Sequence, residues 1–153
     1  MTHPAAQNVT PMAPCGPDVH RLEVVHVNAD AYDVDIRGHR LLVDQPVAAG
    51  GTDVAPTPTE MFAASLATCV AFCAGRYLQR HNLSRRGLRV CAEFVMAADS
   101  PARIGSLRLT LTPPPALSAQ RHAALLAVAS RCTVHNTLRQ PPAVVFELAT
   151  EDT

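Results

Sequence analysis

Cysteine is the residue type in this sequence best suited to chemistry, and two positions stand out. Cys69 lies in the middle of an alanine-rich run, and Cys132 lies just past a second apolar run. A thiolate that attacks a peroxide becomes a sulfenic acid, and a second thiol can condense with it to a disulfide, which guards the first sulfur from irreversible oxidation. Cys73 is nearer to Cys69, four residues on. On a helix that spacing puts both on one face with β-carbons roughly 5–6 Å apart, whereas a disulfide needs roughly 3.5–4.5 Å. Cys69 and Cys73 should therefore not bridge without local unwinding. Cys132, where the chain can bend at a helix end, is the better partner for Cys69.

Two other readings of the same thiols stand beside this one. Free cysteine behaves as a small hydrophobe, so a cysteine in an alanine-rich helix can be packing alone. Cys69, Cys73, Cys132 and His135 could also offer three sulfurs and one nitrogen to zinc. Cys132 and His135 have a tight Cys-x-x-His spacing, but Cys69 and Cys73 form a loose pair on an unbroken helix. Cys91 shares a strand face with Glu93 and reads as a bystander, and Cys15 as an incidental exposed thiol.

The element that must position Cys69 runs from Pro58 to His81. It has no charge between Glu60 and Arg76 and is apolar nearly all round. Thr57 or Thr59 can cap its start, Pro58 fits the first turn, and Glu60 suits the positive end of the dipole. A helix apolar on every side is buried on every side or lies in a membrane. The uncharged run falls short of the ~18 residues that suggest a span, so it reads as a core helix. Before it, alternation from Leu22 to Val27, Tyr32 to Ile36 and Arg40 to Val43 with tight turns between reads as an antiparallel meander. Residues 45–59, with Gly50-Gly51 and three prolines, form a loop without a phosphate-loop lysine. After the helix, Leu88 to Met96 and Ile104 to Thr112 alternate as strands. Ser118 should cap a second helix to about Arg131, Thr133 to Leu138 is a short turn or helix, and Val144 to Ala149 a last strand.

The class is therefore α+β with antiparallel pairing. Residues 1–17, rich in proline, read as a mobile tail, and 18–153 as a single domain. One sheet covers one side of the central helix, so a second copy of the chain is the simplest cover for the other. With 13 basic against 13 acidic residues and 4% aromatics, nucleic acid and anionic membrane are not expected partners. Five cysteines without a visible secretory signal suit a reducing cytoplasm.

The run Gly50-Gly51-Thr52-Asp53-Val54-Ala55-Pro56-Thr57-Pro58-Thr59-Glu60-Met61-Phe62-Ala63-Ala64-Ser65-Leu66-Ala67-Thr68-Cys69 resembles the central signature of the OsmC/Ohr family. Cys132-Thr133-Val134-His135-Asn136-Thr137-Leu138 resembles its second cysteine motif, and the element order matches from about Leu22 to Ala149. The resemblance implies an intertwined homodimer, antiparallel sheets wrapped around long central helices, and active sites at the dimer interface. It implies a cofactor-free, metal-free thiol peroxidase acting on organic hydroperoxides and recharged by an external dithiol. Carried over by position, Cys69 is the peroxidatic thiol, Cys132 the resolving thiol, and Glu60 the glutamate that polarises the site through an arginine. Glu60 and Cys69 are nine residues apart, roughly 13 Å along a helix and on its opposite side, so Glu60 would act across the interface or from a bent helix start. The organic-hydroperoxide branch carries an arginine at the end of its first strand, where this chain has Val27-Asn28-Ala29-Asp30; Arg37 and Arg40 lie in the next hairpin. Phe62, Leu66 and Phe72 would favour an alkyl or lipid hydroperoxide. The rival expectation is a non-catalytic dimer that binds a small apolar ligand in the same pocket.

Overall fold

The computed structural model describes residues 19–149. The expected tail over 1–17, with Cys15, lies outside them. The chain runs β1 (Glu23–Asn28), β2 (Ala31–Ile36), β3 (His39–Val43), α1 (Pro58–Arg80), β4 (Arg89–Met96), β5 (Ile104–Thr112), α2 (His122–Ala129) and α3 (Thr133–Arg139). The class is α+β, and both sheets are antiparallel: β1-β2-β3 and β4-β5.

Helix α1 is 23 residues long, about 35 Å. Its start is closed by a reciprocal cap: Glu60 N donates to Thr57 Oγ1 at 3.1 Å, and Thr57 N donates to Glu60 Oε2 at 2.7 Å. Pro58 follows the cap, where its missing N–H costs nothing. At the far end Asn82 takes a left-handed φ of 55° and Leu83 N donates to the Leu78 carbonyl at 2.9 Å, which satisfies carbonyls the helix leaves open. By length and composition α1 could cross a membrane. Here it is the core helix on one side, with Leu66, Val70, Ala74, Tyr77 and Leu78 buried against Leu117, Leu125, Ala129 and Cys132.

Strands β4 and β5 lay alternate side chains on that core: Val90, Leu107, Leu109 and Leu111 pack against it, while Cys91, Arg108 and Thr110 face outward. The ladder slips between Val95 and Met96, leaving Gly105 unpaired beside Ala97. A β-carbon at Gly105 would sit 3.0 Å from the Ala97 Cα and N, so a larger residue there would press on the Ala97 backbone.

The meander packs chiefly on itself. Of its strand residues only Ala31 and Val43 are buried. Val24, Val25 and Val27, on both faces of β1, are all exposed. The outer face of α1 is bare too, with Phe72 65% exposed.

Two sequence expectations change. Ser118 makes no side-chain cap; a 3-10 turn over Ala119–Arg121 follows it, and the helix proper begins at His122 and ends at Ala129. Val144 to Ala149 forms no strand. Phe146 and Leu148 are 94% and 92% exposed, and among the described residues neither sheet includes this segment, so it lacks the ladder partner a strand needs.

Candidate active site

Helix α1 carries Cys69 and Cys73 one turn apart, as their spacing requires, and both pack against the buried cluster that contains Cys132. Cys132 has no exposure and is the residue on which α3 starts: its carbonyl accepts Asn136 N at 2.9 Å. The sequence reading takes Cys132 as the better partner for Cys69; the fold places Cys132 in the buried cluster against which Cys69 packs. The thiols act on one another. Burial pushes the Cys132 thiol up, and a hydrogen bond and charge from Cys69 push the same way, while the His135 backbone N–H at the first turn of α3 opposes them. Burial also raises Cys73, again helped by the charge and hydrogen bond of Cys69. Cys69 and Cys73 are half-buried, and all four described cysteines are unbridged. Cys91 is exposed on β4, on the strand face opposite the one packed on the core.

The zinc alternative lacks its geometry. Among the described residues no three of His, Cys, Asp and Glu are arranged to hold a metal. His135 points elsewhere, its Nδ1 meeting the Ser130 carbonyl.

Two cavities border α1, one lined by Phe62 and the other by Cys73, and Cys69 lies between these two residues along the helix. Phe62, Cys69, Cys73, Arg76 and Arg80 follow one another at steps of seven, four, three and four residues, so they form one stripe along α1. At the Phe62 end lies a mainly apolar cavity of about 710 Å³, walled by Phe62, Met96, Ile104, Leu107 and Leu138 and edged by Arg103. At the other end lies one of about 350 Å³, lined by Phe72, Cys73, Arg76, Arg80 and Val128. Leu66, expected in the pocket, is instead in the core. Met96, Ile104 and Leu138 were missed by sequence reasoning: each reads as an ordinary apolar strand or helix position, and only the fold brings the β4–β5 hairpin, the start of α1 and α3 to one shared space.

The loop that leads into α1 is built on Asp44, which is 1% exposed. Its carboxylate accepts from Thr52 Oγ1 at 2.7 Å, Gln45 N at 2.8 Å, Thr52 N at 3.0 Å and Val54 N at 3.2 Å. The Thr52 hydroxyl above all, with the three amides, holds Asp44 down to about 2 against the opposing effect of burial. Gly51 passes so close that a β-carbon would lie 1.9 Å from the Gln45 carbonyl oxygen. Asp44 was missed because nothing beside it in sequence marks it; its donors come from up to ten residues away.

Glu60 is engaged in the cap with Thr57 at the opposite end of α1's first half from Cys69. Arg40 pairs with Asp33 across β2 and β3, and Arg37 occupies the β2–β3 turn at φ 57°.

The family model for OsmC-like proteins matches residues 50–147, most of the chain, including the loop, α1 and both thiol-bearing segments. The chain belongs to the OsmC-like family. Solved structures agree in fold. A Psychrobacter arcticus protein shares 22% identity and a TM-score of 0.71, over 76% of this chain and 85% of its own. The organic hydroperoxide resistance protein OsmC of Legionella pneumophila shares 20% identity and a TM-score of 0.63, over 82% and 92%. The organic hydroperoxide resistance protein OhrB of Bacillus subtilis shares 17% identity and a TM-score of 0.60, over 80% and 92%. No curated protein matches this OsmC-like chain in sequence.

Proposed function

We propose that this OsmC-like protein is a cysteine-based peroxidase that reduces organic hydroperoxides. The observation that carries the proposal is the packing of half-buried Cys69 against buried Cys132, on the stripe of α1 that leads to a 710 Å³ apolar cavity. That volume lies within the range of small-molecule sites, and its apolar walls suit an alkyl chain. Two of its structural relatives are organic hydroperoxide resistance proteins.

The Cys69 thiolate attacks the terminal peroxide oxygen. The O–O bond breaks, the alkoxide takes a proton and leaves as an alcohol, and Cys69 becomes a sulfenic acid. Burial is the main effect that raises the Cys132 thiol, with a smaller contribution from Cys69, and the first turn of α3 opposes both through the His135 N–H. Cys132 then attacks the Cys69 sulfur, water leaves, and a disulfide forms. An external dithiol, in a reducing compartment such as the cytoplasm, reopens it by exchange.

The working form in this proposal is a homodimer. The bare face of α1, the two-sided apolar meander and the unpaired segment ending in Phe146 and Leu148 are the surfaces a second copy would cover. Glu60 serves chemistry only across that interface, since its own Cys69 is roughly 13 Å away along the helix.

The test is consumption of cumene hydroperoxide with dithiothreitol as reductant. Wild type turns over and Cys69→Ser does not; equal turnover by both rejects the proposal. The apolar cavity also fits a second reading, a non-catalytic dimer that holds a small apolar ligand. Trapping of a Cys69 sulfenic acid after peroxide treatment separates the two, since only the peroxidase forms one.

A further inference from the structure

The peroxidase cycle uses Cys69 and Cys132 and leaves Cys73 without a task. Helix α1 sets Cys73 four residues beyond Cys69, on one face and with β-carbons roughly 5–6 Å apart. Both are half-buried and pack against the cluster that contains Cys132. That spacing is too long for a disulfide, but it allows one sulfur to donate its S–H to the other, and Cys73 shares such a hydrogen bond with Cys69. A half-buried thiolate needs a donor or a cation to hold its charge. The elements packed on α1 offer no cation to Cys69. α2 presents Leu125 and Ala129, while its His122 meets the Leu117 carbonyl. The β4–β5 hairpin presents leucines, and its Glu93 and Arg108 pair on the outward face. α3 brings Cys132 and His135, whose Nδ1 is turned to the Ser130 carbonyl. On α1 itself Arg76 and Arg80 are exposed, and neither acts on the Cys73 thiol.

We propose that Cys73 is a positioning residue for the Cys69 thiolate: from one turn along α1 its S–H donates to the Cys69 sulfur and holds the negative charge there. This rests on the thiolate step of the proposed cycle.

The coupling runs both ways. Burial most of all, then the charge and hydrogen bond of Cys69, keeps the proton on Cys73. By the same free energy the Cys73 proton keeps the charge on Cys69. A second copy laid over this face of α1 strengthens the bond, because a drier site raises the worth of a hydrogen bond. Cys132 also donates to Cys69, but it must give up its proton to attack the sulfenic acid. Cys73 keeps its proton through the cycle, so a donor is in place for the Cys69 thiolate each time the disulfide reopens.

The experiment reads the reduced protein, so it does not require peroxide turnover. Wild type, Cys73→Ala and Cys73→Ser are alkylated with iodoacetamide across about pH 5 to 10, and modification of Cys69 is followed by peptide mass. The midpoint of that profile, unlike the rate, does not depend on how open the site is. Cys73→Ala should move the midpoint up by about one unit, an about tenfold loss of thiolate below it. Cys73→Ser keeps a donor and should restore it. An unmoved midpoint in Cys73→Ala overturns the proposal, and so does an equal shift in both variants, which marks lost packing. With cumene hydroperoxide, kcat/KM of Cys73→Ala should be low near neutral pH and recover above the new midpoint; a loss that persists there is structural and overturns the positioning role. A midpoint that shifts as expected in a wild type and variant pair without any turnover overturns the peroxidase proposal and leaves the positioning role standing.

Discussion

Thr57 and Glu60 close the start of α1 on each other, with 3.1 Å and 2.7 Å hydrogen bonds between each backbone N–H and the other's side chain. Glu60 therefore has a structural task that is independent of any role at a thiol. Thr57→Ala should cost about 1 kcal/mol, the usual worth of a cap, measured by denaturant unfolding. Glu60→Gln keeps an acceptor at the same place. If it unfolds like wild type yet loses cumene hydroperoxide turnover, Glu60 has a chemical role as well; unchanged turnover confines it to the cap.

Cys132→Ser should leave the first oxidation of Cys69 intact and remove its protection. Mass spectrometry after one equivalent of cumene hydroperoxide should find a sulfenic acid on Cys69, and excess peroxide should drive it to the sulfinic acid. Wild type under the same excess should stop at a disulfide. A wild-type Cys69 that over-oxidises as fast as the variant would mean that Cys132 does not resolve it.

Asp44 links stability to acid. Its folded value of about 2 lies below the ordinary 3.8, so its contribution is fully present above pH ~4 and is lost as pH falls toward the folded value. The melting temperature of wild type should therefore fall across that window relative to Asp44→Asn, which has no charge to lose. Parallel curves for the two proteins between pH 5 and pH 2 would show that the Thr52 and amide contacts contribute nothing through the charge.

Gly51→Ala should destabilise by about 3 kcal/mol, toward the upper end for overpacking. The new β-carbon would meet the Gln45 carbonyl carbon at 2.5 Å and its oxygen at 1.9 Å, and backbone cannot swing aside as a side chain can. The Asp44 carboxylate sits 2.8 Å from the same point, so the loss should also appear as a Thr52 amide that exchanges faster with solvent.

Phe146→Asp should lower the mass seen by sedimentation from two chains to one at micromolar concentration, since a side chain 94% exposed in the single chain has nothing of its own to pack on. A wild-type chain that sediments as a monomer would remove the dimer from the proposed function.

Local signals located α1 almost to the residue. Thr57, Pro58 and Glu60 mark its start by chemistry that acts over three positions, and the alanine-rich run carries it to Arg80. The strands were equally legible: Leu107, Leu109 and Leu111 alternate against Arg108 and Thr110, and they pack as that period requires. Val144 to Ala149 has strand character as good as theirs, but a strand exists only with a neighbour, and among the described residues neither sheet takes this segment in. Ser118 reads as a cap, yet its hydroxyl makes no capping hydrogen bond, and a 3-10 turn separates it from the helix proper at His122.

Period, capping and the step of four between Cys69 and Cys73 are properties of neighbouring residues, and they alone established the helix, the strands and the shared thiol face. The family signature added which sulfurs to compare. Which groups meet across sixty residues was settled by folding: Cys132 buried beside the thiols of α1, Asp44 gathering donors from a loop, and Phe62 and Arg80 opening one stripe onto an apolar space at one end and a basic one at the other. These depend on how apolar faces find each other in three dimensions, and burial is a property of the packed chain that no short window contains.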